Sequence, residues 1–278
     1  MGVSFERARE FVCTAGRVLE RRLFATLYEG AAHTGVVAAV LAYRNDDGGF
    51  GHGLEPDKLV PDSQPLDVQV ALERLHTADA RELALAHDAA DFLDSVAQDD
   101  GLVPIVLRSV LSYPRADHWE QVQTTPDLNP ALAIAGYLHE LGTEHPWLER
   151  VTATIFDRID REPFEDTHAI HAALPFARYA PGGDRIVPHL REALPRSRWF
   201  LASPDADGYG LPPTRFPRDW FDDAVYEPHL DRLEADQQED GGWPIRWEPP
   251  GPAAVCAWRA IWTIDALRTL ETNGRLRR

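Results

Sequence analysis

Apolar residues recur every three or four positions along most of the chain, which is the spacing of one face of an α-helix. The first such stripe begins at Phe5 and stays on one helical face as far as Leu23. Alternation at every second position, which is typical of half-buried β-strands, is nearly absent. The pattern therefore predicts an all-α chain, with further helices over 32–44, 66–77, 80–97, 129–141, 145–160, 167–179, 226–237 and 253–271.

Weaker helical patterns bring the expected number to about twelve helices. They cover 105–112, 117–123 and 184–193, where prolines are frequent.

Four of the predicted turns between helices are similar to one another. Each places an acidic residue before a glycine and a large apolar residue just after it: RNDDGGFG at 44–51, AQDDGLVP at 97–104, DADGYGLP at 205–212 and QEDGGWPI at 238–245. Glycine supplies the left-handed backbone conformation that ends many helices. The apolar residue that follows is expected to pack back onto the helix just ended. Trp243 is interpreted in this way as part of the scaffold.

The segment 237–270, which begins QQEDGGWPIRW and ends AWRAIWTIDALRTL, resembles the repeat of terpenoid cyclases and protein prenyltransferases. The resemblance implies helical hairpins arranged as an inner ring of helices inside an outer ring. We therefore expect residues 1–278 to form a single (α/α)6 toroid domain of about twelve helices. The natural site in such a domain is the central cavity.

Charge and composition exclude several classes of function. The chain has 28 basic and 45 acidic residues, a net charge of −17, and Lys58 is its only lysine. A surface this negative repels nucleic-acid phosphates and anionic lipids. No segment approaches the roughly 18 consecutive apolar residues of a membrane-spanning helix. Because Cys13 and Cys256 lie far apart in sequence, they predict neither a disulfide framework nor a zinc site, and a cytoplasmic protein is expected. The net charge of −17 fits a monomer or dimer.

The segment PFEDTHAIHAAL at 163–174 contains the first candidate catalytic residues. It resembles the Asp-rich start of an inner helix in class II terpenoid cyclases, which implies Glu165 as the proton-donating acid, followed by Asp166. Pro163 stands where that family has its first aspartate.

The residues of this segment allow three readings without the resemblance. Glu165 and His168 are one helical turn apart, so they would share a face with Ala172 and can exchange protons. Together with His171, they also have the spacing of metal ligands. Alternatively, Glu165 and Asp166 cap the helix N-terminus, where acidic residues are favoured.

The loop DDGGFGHGLEPDKLVPDSQP at 46–65 is the second candidate. Irregular segments of this length are uncommon inside compact domains and are often functional. The loop gathers polar residues on a path made stiff by glycine and proline: His52, Glu55, Asp57, Lys58 and Asp62. The alternative is an ordered structural lid whose acidic residues face water.

The third candidate is the aromatic segment 203–228. Trp220 and Phe221 would offer ring faces to a carbocation, and Asp222 with Asp223 would bind Mg²⁺ if the substrate were a diphosphate. Otherwise no cofactor and no resident metal is expected. An ordinary packed loop is the alternative.

The function expected from these candidates is that of a terpenoid-cyclase-like enzyme. It would act on an isoprenoid or another apolar small molecule by acid-initiated cyclisation or rearrangement. Glu165 would be the acid, or else Glu55 or Asp57, and His168 would tune its pKa. The residues expected to bind substrate are His52, His171, Trp220, Phe221, Asp222 and Trp247.

Two other functions stay open. One is a non-catalytic toroid that binds a small molecule or a partner protein. The other is a carbohydrate-active toroid enzyme that uses Glu55 and Glu165 as a pair of carboxylates.

Overall fold

The computed structural model of the chain describes residues 2–120 and 125–277. Within these residues the regular structure consists of eleven α-helices and several short 3₁₀ helices, with no β-strand, so the prediction of an all-α chain is confirmed. The α-helices are α1 Phe5–Ala15, α2 Val18–Tyr28, α3 Thr34–Leu41, α4 Pro65–Thr77, α5 Leu83–Val96, α6 Leu128–Leu141, α7 Pro146–Arg161, α8 Thr167–Tyr179, α9 Val187–Ala193, α10 Asp223–Ala235 and α11 Pro252–Thr272.

The N-terminal stripe of apolar residues is divided between two helices, whereas the sequence pattern predicted one continuous face. The extended backbone of Gly16 (φ −71°, ψ 150°) separates α1 from α2. A Cβ atom at this position would lie 2.6 Å from the carbonyl oxygen of Val12 and 3.3 Å from the Cβ of Ala260. The close approach to the carbonyl of Val12 in the last turn of α1 therefore favours glycine here, and α1 ends at it.

The weaker helical predictions correspond mostly to short 3₁₀ turns. Arg108–Ser112 and Asp117–Trp119 are 3₁₀ helices, and α9 is preceded by another at Gly183–Ile186. The last residues of the predicted segment 117–123 lie outside the described residues.

The chain divides into two compact units. We call residues 36–198 the central unit, and the residues up to Gly35 together with those from Trp199 onward the terminal unit. In the central unit, α6 and α8 pack most closely. Every residue of α6 from Pro130 to Leu138 is buried. A Cβ atom on Gly136 would lie 2.4 Å from the backbone nitrogen of Phe176, so the two helices touch through their backbones.

The terminal unit is built around α11, which packs against α1, α2 and α10. The side of α11 that faces these helices is lined by small and aliphatic residues. Its buried residues are Ala254, Ala257, Ala260, Ile261, Thr263, Ile264, Ala266, Leu267 and Leu270.

Three of the four predicted turns share one hydrogen-bond pattern. At 45–49, 98–102 and 238–242, the first residue donates its N–H to the carbonyl of the fifth residue at 2.9–3.0 Å, and the fourth residue donates its N–H back to the first. The aspartate in third position accepts from the N–H of the fifth residue. The glycine in fourth position has a φ of 86°, 86° or 91°. The repeated sequence pattern at these three turns therefore corresponds to a repeated backbone structure.

Each of these turns presses its glycine against the backbone of a nearby helix. A Cβ atom would lie 2.4 Å from the carbonyl oxygen of Asp88 for Gly48, 3.0 Å from the backbone nitrogen of Val151 for Gly101, and 2.2 Å from the carbonyl oxygen of Arg7 for Gly241. The residue two positions after this glycine is apolar and buried in every case: Phe50, Val103 and Trp243. The indole of Trp243 donates to the carbonyl of Leu233 in the last turn of α10 at 2.7 Å, in agreement with its interpretation as scaffold.

The fourth segment, 205–212, departs from the pattern. Asp207 pairs with Arg246 at 2.9 Å instead of closing its own turn, and Gly208 has a φ of 143°. The acidic, glycine and apolar residues alone do not specify this turn, because the shared structure also needs a hydrogen bond between an N–H and a carbonyl four positions apart.

Within the described residues, no helix is both long enough and apolar enough to cross a membrane. Cys13 and Cys256 are both free and exposed.

Candidate acid–base site

Two loops of the central unit are paired by backbone hydrogen bonds. We call residues 51–64 the acidic loop and residues 113–119 the histidine loop. The N–H of Leu59 donates to the carbonyl of Pro114 at 2.9 Å, and the N–H of Ala116 donates to the carbonyl of Asp57 at 2.7 Å. Lys58 and Arg115 face each other in an antiparallel bridge. This pairing fixes the polar side chains of one loop relative to those of the other.

A buried group of three ionisable residues joins the acidic loop to α4. The Nζ atom of Lys58 lies 2.6 Å from Oδ2 of Asp67 and 3.3 Å from Oε2 of Glu55. The other oxygen of Asp67, Oδ1, accepts from the N–H of Glu55 at 2.7 Å. The side chains of Lys58 and Asp67 are not exposed, and that of Glu55 is 6% exposed. Asp67 lies in the first turn of α4, where the helix dipole favours a negative charge.

Glu55 keeps its proton at neutral pH. Burial away from water is the largest cause and raises the pKa of its carboxyl group, while Lys58 lowers it and the nearby Asp57 and Asp67 raise it again, so that the pKa is about 8. A single ammonium group faces two buried carboxyl groups, and it is closer to Asp67. The second carboxyl group is therefore more stable when neutral. Its Oε2 atom has no hydrogen-bond partner among the described residues.

Asp57 and His118 form the next pair. The Oδ2 atom of Asp57, which is almost fully buried, lies 3.6 Å from Nε2 of the half-exposed His118. Partial burial lowers the pKa of His118 below its usual 6.5, although Asp57 raises it; the neighbouring His168 lowers it further. At neutral pH this imidazole is therefore largely unprotonated and able to accept a proton.

The start of α8 brings a second histidine, His168, and a second aspartate, Asp166, near His118. Asp166 is the N-cap of α8, and its Oδ1 accepts from the N–H of His168 at 2.7 Å and lies 3.2 Å from Nδ1 of the same residue. Burial raises the pKa of Asp166, but the hydrogen bonds from the ring and backbone of His168 outweigh it, and the pKa is lowered overall. The capping role proposed from the sequence is the one that Asp166 has.

Glu165 is exposed and precedes α8, because the helix begins only at Thr167. The expectation that Glu165 shares a helical face with His168 and Ala172 is therefore wrong. Its carbonyl accepts from the N–H of Arg198 at 2.8 Å. Its side chain lines a groove of about 630 Å³ between the end of α7 and α9. Among the described residues, no hydrogen bond or ion pair joins Glu165 to Glu55.

The other predicted site residues of the central unit are exposed or half-buried. His52 is exposed, has a left-handed backbone (φ 57°) and bonds through Nε2 to Oδ1 of Asn45 at 2.8 Å. Asp62 is also exposed, and His171 is half-buried on α8. No hydrogen bond or ion pair among the described residues connects His52 to Glu55.

Among the predicted site residues of the terminal unit, Trp220 and Phe221 are linked through Phe216 and Phe200, whose ring centroids lie 6.2 Å apart. Trp220 stacks on Phe216 with ring centroids 6.3 Å apart. Phe221 stacks on Phe200 at the same distance. Asp222 is the exposed N-cap residue of α10 and makes no capping hydrogen bond through its side chain. Trp247 contacts Trp258 and Trp262.

Sequence reasoning missed Asp67 and His118, and it gave no partner to Lys58. Asp67 lies in the first turn of a predicted helix, where an acidic residue is ordinarily explained by the helix dipole. His118 lies in a segment with only a weak pattern. The one available signal was that the chain's single lysine stands between two acidic residues, Glu55 and Asp57, in a stiff loop.

Within residues 2–120 and 125–277, no group of three or more His, Cys, Asp or Glu side chains is arranged to hold a metal ion.

Comparisons with known proteins support the fold only. No protein-family model and no curated protein matches the chain. A protein from Actinoplanes, known from a crystal structure, is similar to this chain with a TM-score of 0.58 and 15% sequence identity. The similarity covers 96% of this chain and 98% of that protein. The two chains therefore have similar folds, and at this identity the likeness does not extend to function.

Proposed function

We propose that the chain is an enzyme that transfers protons by general acid–base catalysis, with Glu55 as the acid and His118 as the base. The observation that carries this proposal is the pair of opposite pKa shifts in two groups that both interact with Asp57. The carboxyl group of Glu55 holds its proton to about pH 8, while the imidazole of His118 loses its proton below its usual 6.5. Neighbouring groups whose pKa values are pushed apart in this way identify an acid and a base.

Asp57 connects the two groups. It raises the pKa of Glu55 by charge repulsion and lies 3.6 Å from Nε2 of His118. A carboxylate on the Nε2 side favours the tautomer with its proton on Nε2, which leaves Nδ1 as the basic nitrogen. When Nδ1 accepts a proton from the substrate, the same carboxylate stabilises the imidazolium that forms. Asp57 is thus a positioning residue in this mechanism.

The reaction class follows from the strength of the acid. A carboxyl group with a pKa of about 8 is too weak to protonate an alkene, but it is well matched to an oxygen atom near neutral pH. In the step we propose, the O–H bond of Glu55 breaks and its proton goes to a substrate oxygen, while Nδ1 of His118 removes a proton from a neighbouring carbon. Isomerisation of a small hydroxy-carbonyl compound is the simplest reaction of this kind. Acid-initiated cyclisation of an isoprenoid, expected from the sequence resemblance, stays a prediction.

Solvent deuterium incorporation tests the proposal across several classes of substrate at once. The full chain is incubated in D₂O with aldoses, ketoses and 2-hydroxy acids, and incorporation at carbon is followed by NMR. We expect the wild type to exchange at least one compound, and Glu55→Gln and His118→Asn to lose that activity. Glu165→Gln changes an exposed glutamate of the same unit and should behave as the wild type. The proposal fails if the Glu55 carboxyl group, followed by ¹³C NMR, titrates at its ordinary value.

The toroid arrangement is part of the same proposal. Its support is the set of three equivalent glycine turns, each packed on the backbone of another helix. The repeat that resembles the terpenoid cyclases and prenyltransferases supports it as well.

A further inference from the structure

Five aromatic side chains of the terminal unit form a continuous row, which we call the aromatic wall: Trp199, Tyr209, Trp247, Trp258 and Trp262. The ring centroids are 6.0 Å apart for Trp199 and Tyr209, and 5.9 Å apart for Tyr209 and Trp247. Trp247 lies 5.1 Å from Trp258 and 6.1 Å from Trp262. Trp199 is 39% exposed and Tyr209 is 44% exposed. The other three rings are partly buried, so the row is open to solvent mainly at the end formed by Trp199 and Tyr209.

The backbone holds Trp199 in a costly conformation. Its φ is 67°, in the left-handed region that bulky residues rarely occupy. The carbonyl of Trp199 accepts from the N–H of Leu211 at 2.9 Å, and the N–H of Leu201 donates to the carbonyl of Leu211 at 3.1 Å. Strain that is maintained by surrounding hydrogen bonds is common at binding sites.

An ion pair lies beside Trp262, at one end of the aromatic wall. Nη1 of Arg215 lies 3.0 Å from Oδ2 of Asp265, and the two side chains are only 18% and 11% exposed. The guanidinium group lies over the ring of Trp262, 4.7 Å from its centroid. The cation is therefore already neutralised by Asp265 and covers one face of Trp262.

Two hydrogen-bond donors, one on Arg215 of this pair and one on the ring that it covers, lack an acceptor. The Nε atom of Arg215 and the Nε1 atom of Trp262 are buried and have no hydrogen-bond partner among the described residues. Leaving a buried donor unpaired is unfavourable, so such groups normally meet an acceptor atom. The wall thus combines apolar ring faces with two donors that need acceptors.

We infer that the aromatic wall binds a carbohydrate, a neutral ring with apolar C–H faces and many hydroxyl oxygens. The rings would pack on the C–H faces. The hydroxyl oxygens would accept from Trp262 and Arg215 once the side chains that cover these two buried donors move aside on binding. A cationic ligand is disfavoured because Arg215 already occupies one face of Trp262, and an anion is disfavoured by the net charge of −17. A purely apolar ligand would leave both donors unpaired. This inference rests on the terminal unit alone and is independent of the proposed proton transfer.

Binding is tested with the full chain by saturation-transfer NMR and by tryptophan fluorescence. The probes are malto-, cello-, chito- and mannohexaose at millimolar concentrations, compared with choline, benzoate and farnesol. We expect saturable binding of at least one oligosaccharide and none of the three comparison compounds. Absence of binding by every oligosaccharide would overturn the inference, and so would a preference for choline, benzoate or farnesol.

Two conservative tryptophan variants separate binding from stability. Trp262→Phe keeps a ring but removes the unpaired N–H, so stability should be unchanged or higher while the oligosaccharide binds about five- to tenfold more weakly. Trp243→Phe removes an N–H of the same unit that already bonds to Leu233. This variant should be less stable and bind as the wild type does. The inference is wrong if Trp262→Phe binds as tightly as the wild type, or if both variants weaken binding equally.

Discussion

The ammonium nitrogen of Lys58 lies 2.6 Å from a carboxylate oxygen of Asp67, and neither side chain is exposed to solvent. The two residues belong to different elements, since Lys58 is in the acidic loop and Asp67 is in the first turn of α4. Their ion pair fixes the loop to the helix at the point where Glu55 enters the candidate site. The only lysine of the chain is thus a buried structural residue.

Replacing this lysine by an apolar residue should destabilise the protein strongly. Lys58→Met leaves the buried carboxylate of Asp67 without its cation, and loss of one partner of a buried pair costs about 3–5 kcal/mol. Chemical denaturation measures the loss. In the double variant Lys58→Met/Asp67→Asn, the remaining side chain is neutral and still accepts from the N–H of Glu55. We expect it to recover much of the stability; a double variant as unstable as the single one would contradict this role.

The protonated state of Glu55 makes stability depend on pH. The pKa of its carboxyl group is about 8 in the folded chain against an ordinary 4.5, so the folded state binds the extra proton between these values. This contribution to stability is fully present below pH 4.5 and is lost as the pH rises through 8, by an amount on the order of a few kcal/mol.

Glu55→Gln is the variant that removes this dependence. Its stability, measured by urea denaturation, should equal or fall below that of the wild type near pH 5 and exceed it at pH 9. Glu165→Gln should keep the slope of the wild type. The raised pKa of Glu55 requires the stability contributed by this group to fall between pH 5 and 9. If the wild type instead becomes more stable over this range, and only Glu55→Gln shows no pH dependence, the pKa of Glu55 is lowered and not raised.

Two variants should move the pKa of His118 in opposite directions. Asp57 raises this pKa, so Asp57→Asn should lower it further, while His168 lowers it, so His168→Gln should raise it. Titration of the Cε1–H resonance of His118 by NMR measures both shifts. Equal shifts of the same sign would show that these neighbours do not act on His118 through their charges.

The repeated turns predict a graded series of alanine variants. Gly48, Gly101 and Gly241 all have a positive φ, which alone costs alanine about 1–2 kcal/mol. At Gly48 and Gly241 the added Cβ also meets a carbonyl oxygen at 2.4 and 2.2 Å, so these variants should lose a further ~1–3 kcal/mol. Gly101→Ala, with its nearest atom at 3.0 Å, should be milder.

Gly142 provides the control for this series. Its φ is 72°, but nothing lies within 4 Å of its Cβ position, so Gly142→Ala should show only the cost of the backbone conformation. Thermal denaturation of the four variants gives the order. If Gly142→Ala is as damaging as Gly241→Ala, contact with the helix backbone is not the cause.

The helices were largely predictable because their burial is periodic. The predicted segment 167–179 coincides with α8, and 66–77 and 129–141 differ from α4 and α6 by one residue at the start. The break at Gly16 was not predictable in this way, since the apolar stripe continues across the residue at which the backbone becomes extended. Helical periodicity reports a buried face but not what lies against it.

The candidate site was only partly predictable, for a related reason. Glu55 and Asp57 stood out because a stiff loop of glycine and proline concentrates polar residues. Their neighbours Asp67 and His118 come from other parts of the chain. The pKa of Glu55 depends on its burial and on such distances, which no local pattern contains. The placement of Glu165 on the helical face of His168 was wrong because it depended on the exact first residue of α8, which is Thr167.

At the three equivalent turns, the spacing between neighbouring helices is set by backbone atoms on both sides. Such a contact does not depend on the volume of any side chain. Substitutions on the packed helix faces therefore leave this spacing unchanged as long as the glycines are kept. A chain built in this way can diverge widely in sequence without losing the arrangement of its helices, and a similar fold at 15% identity is compatible with such divergence.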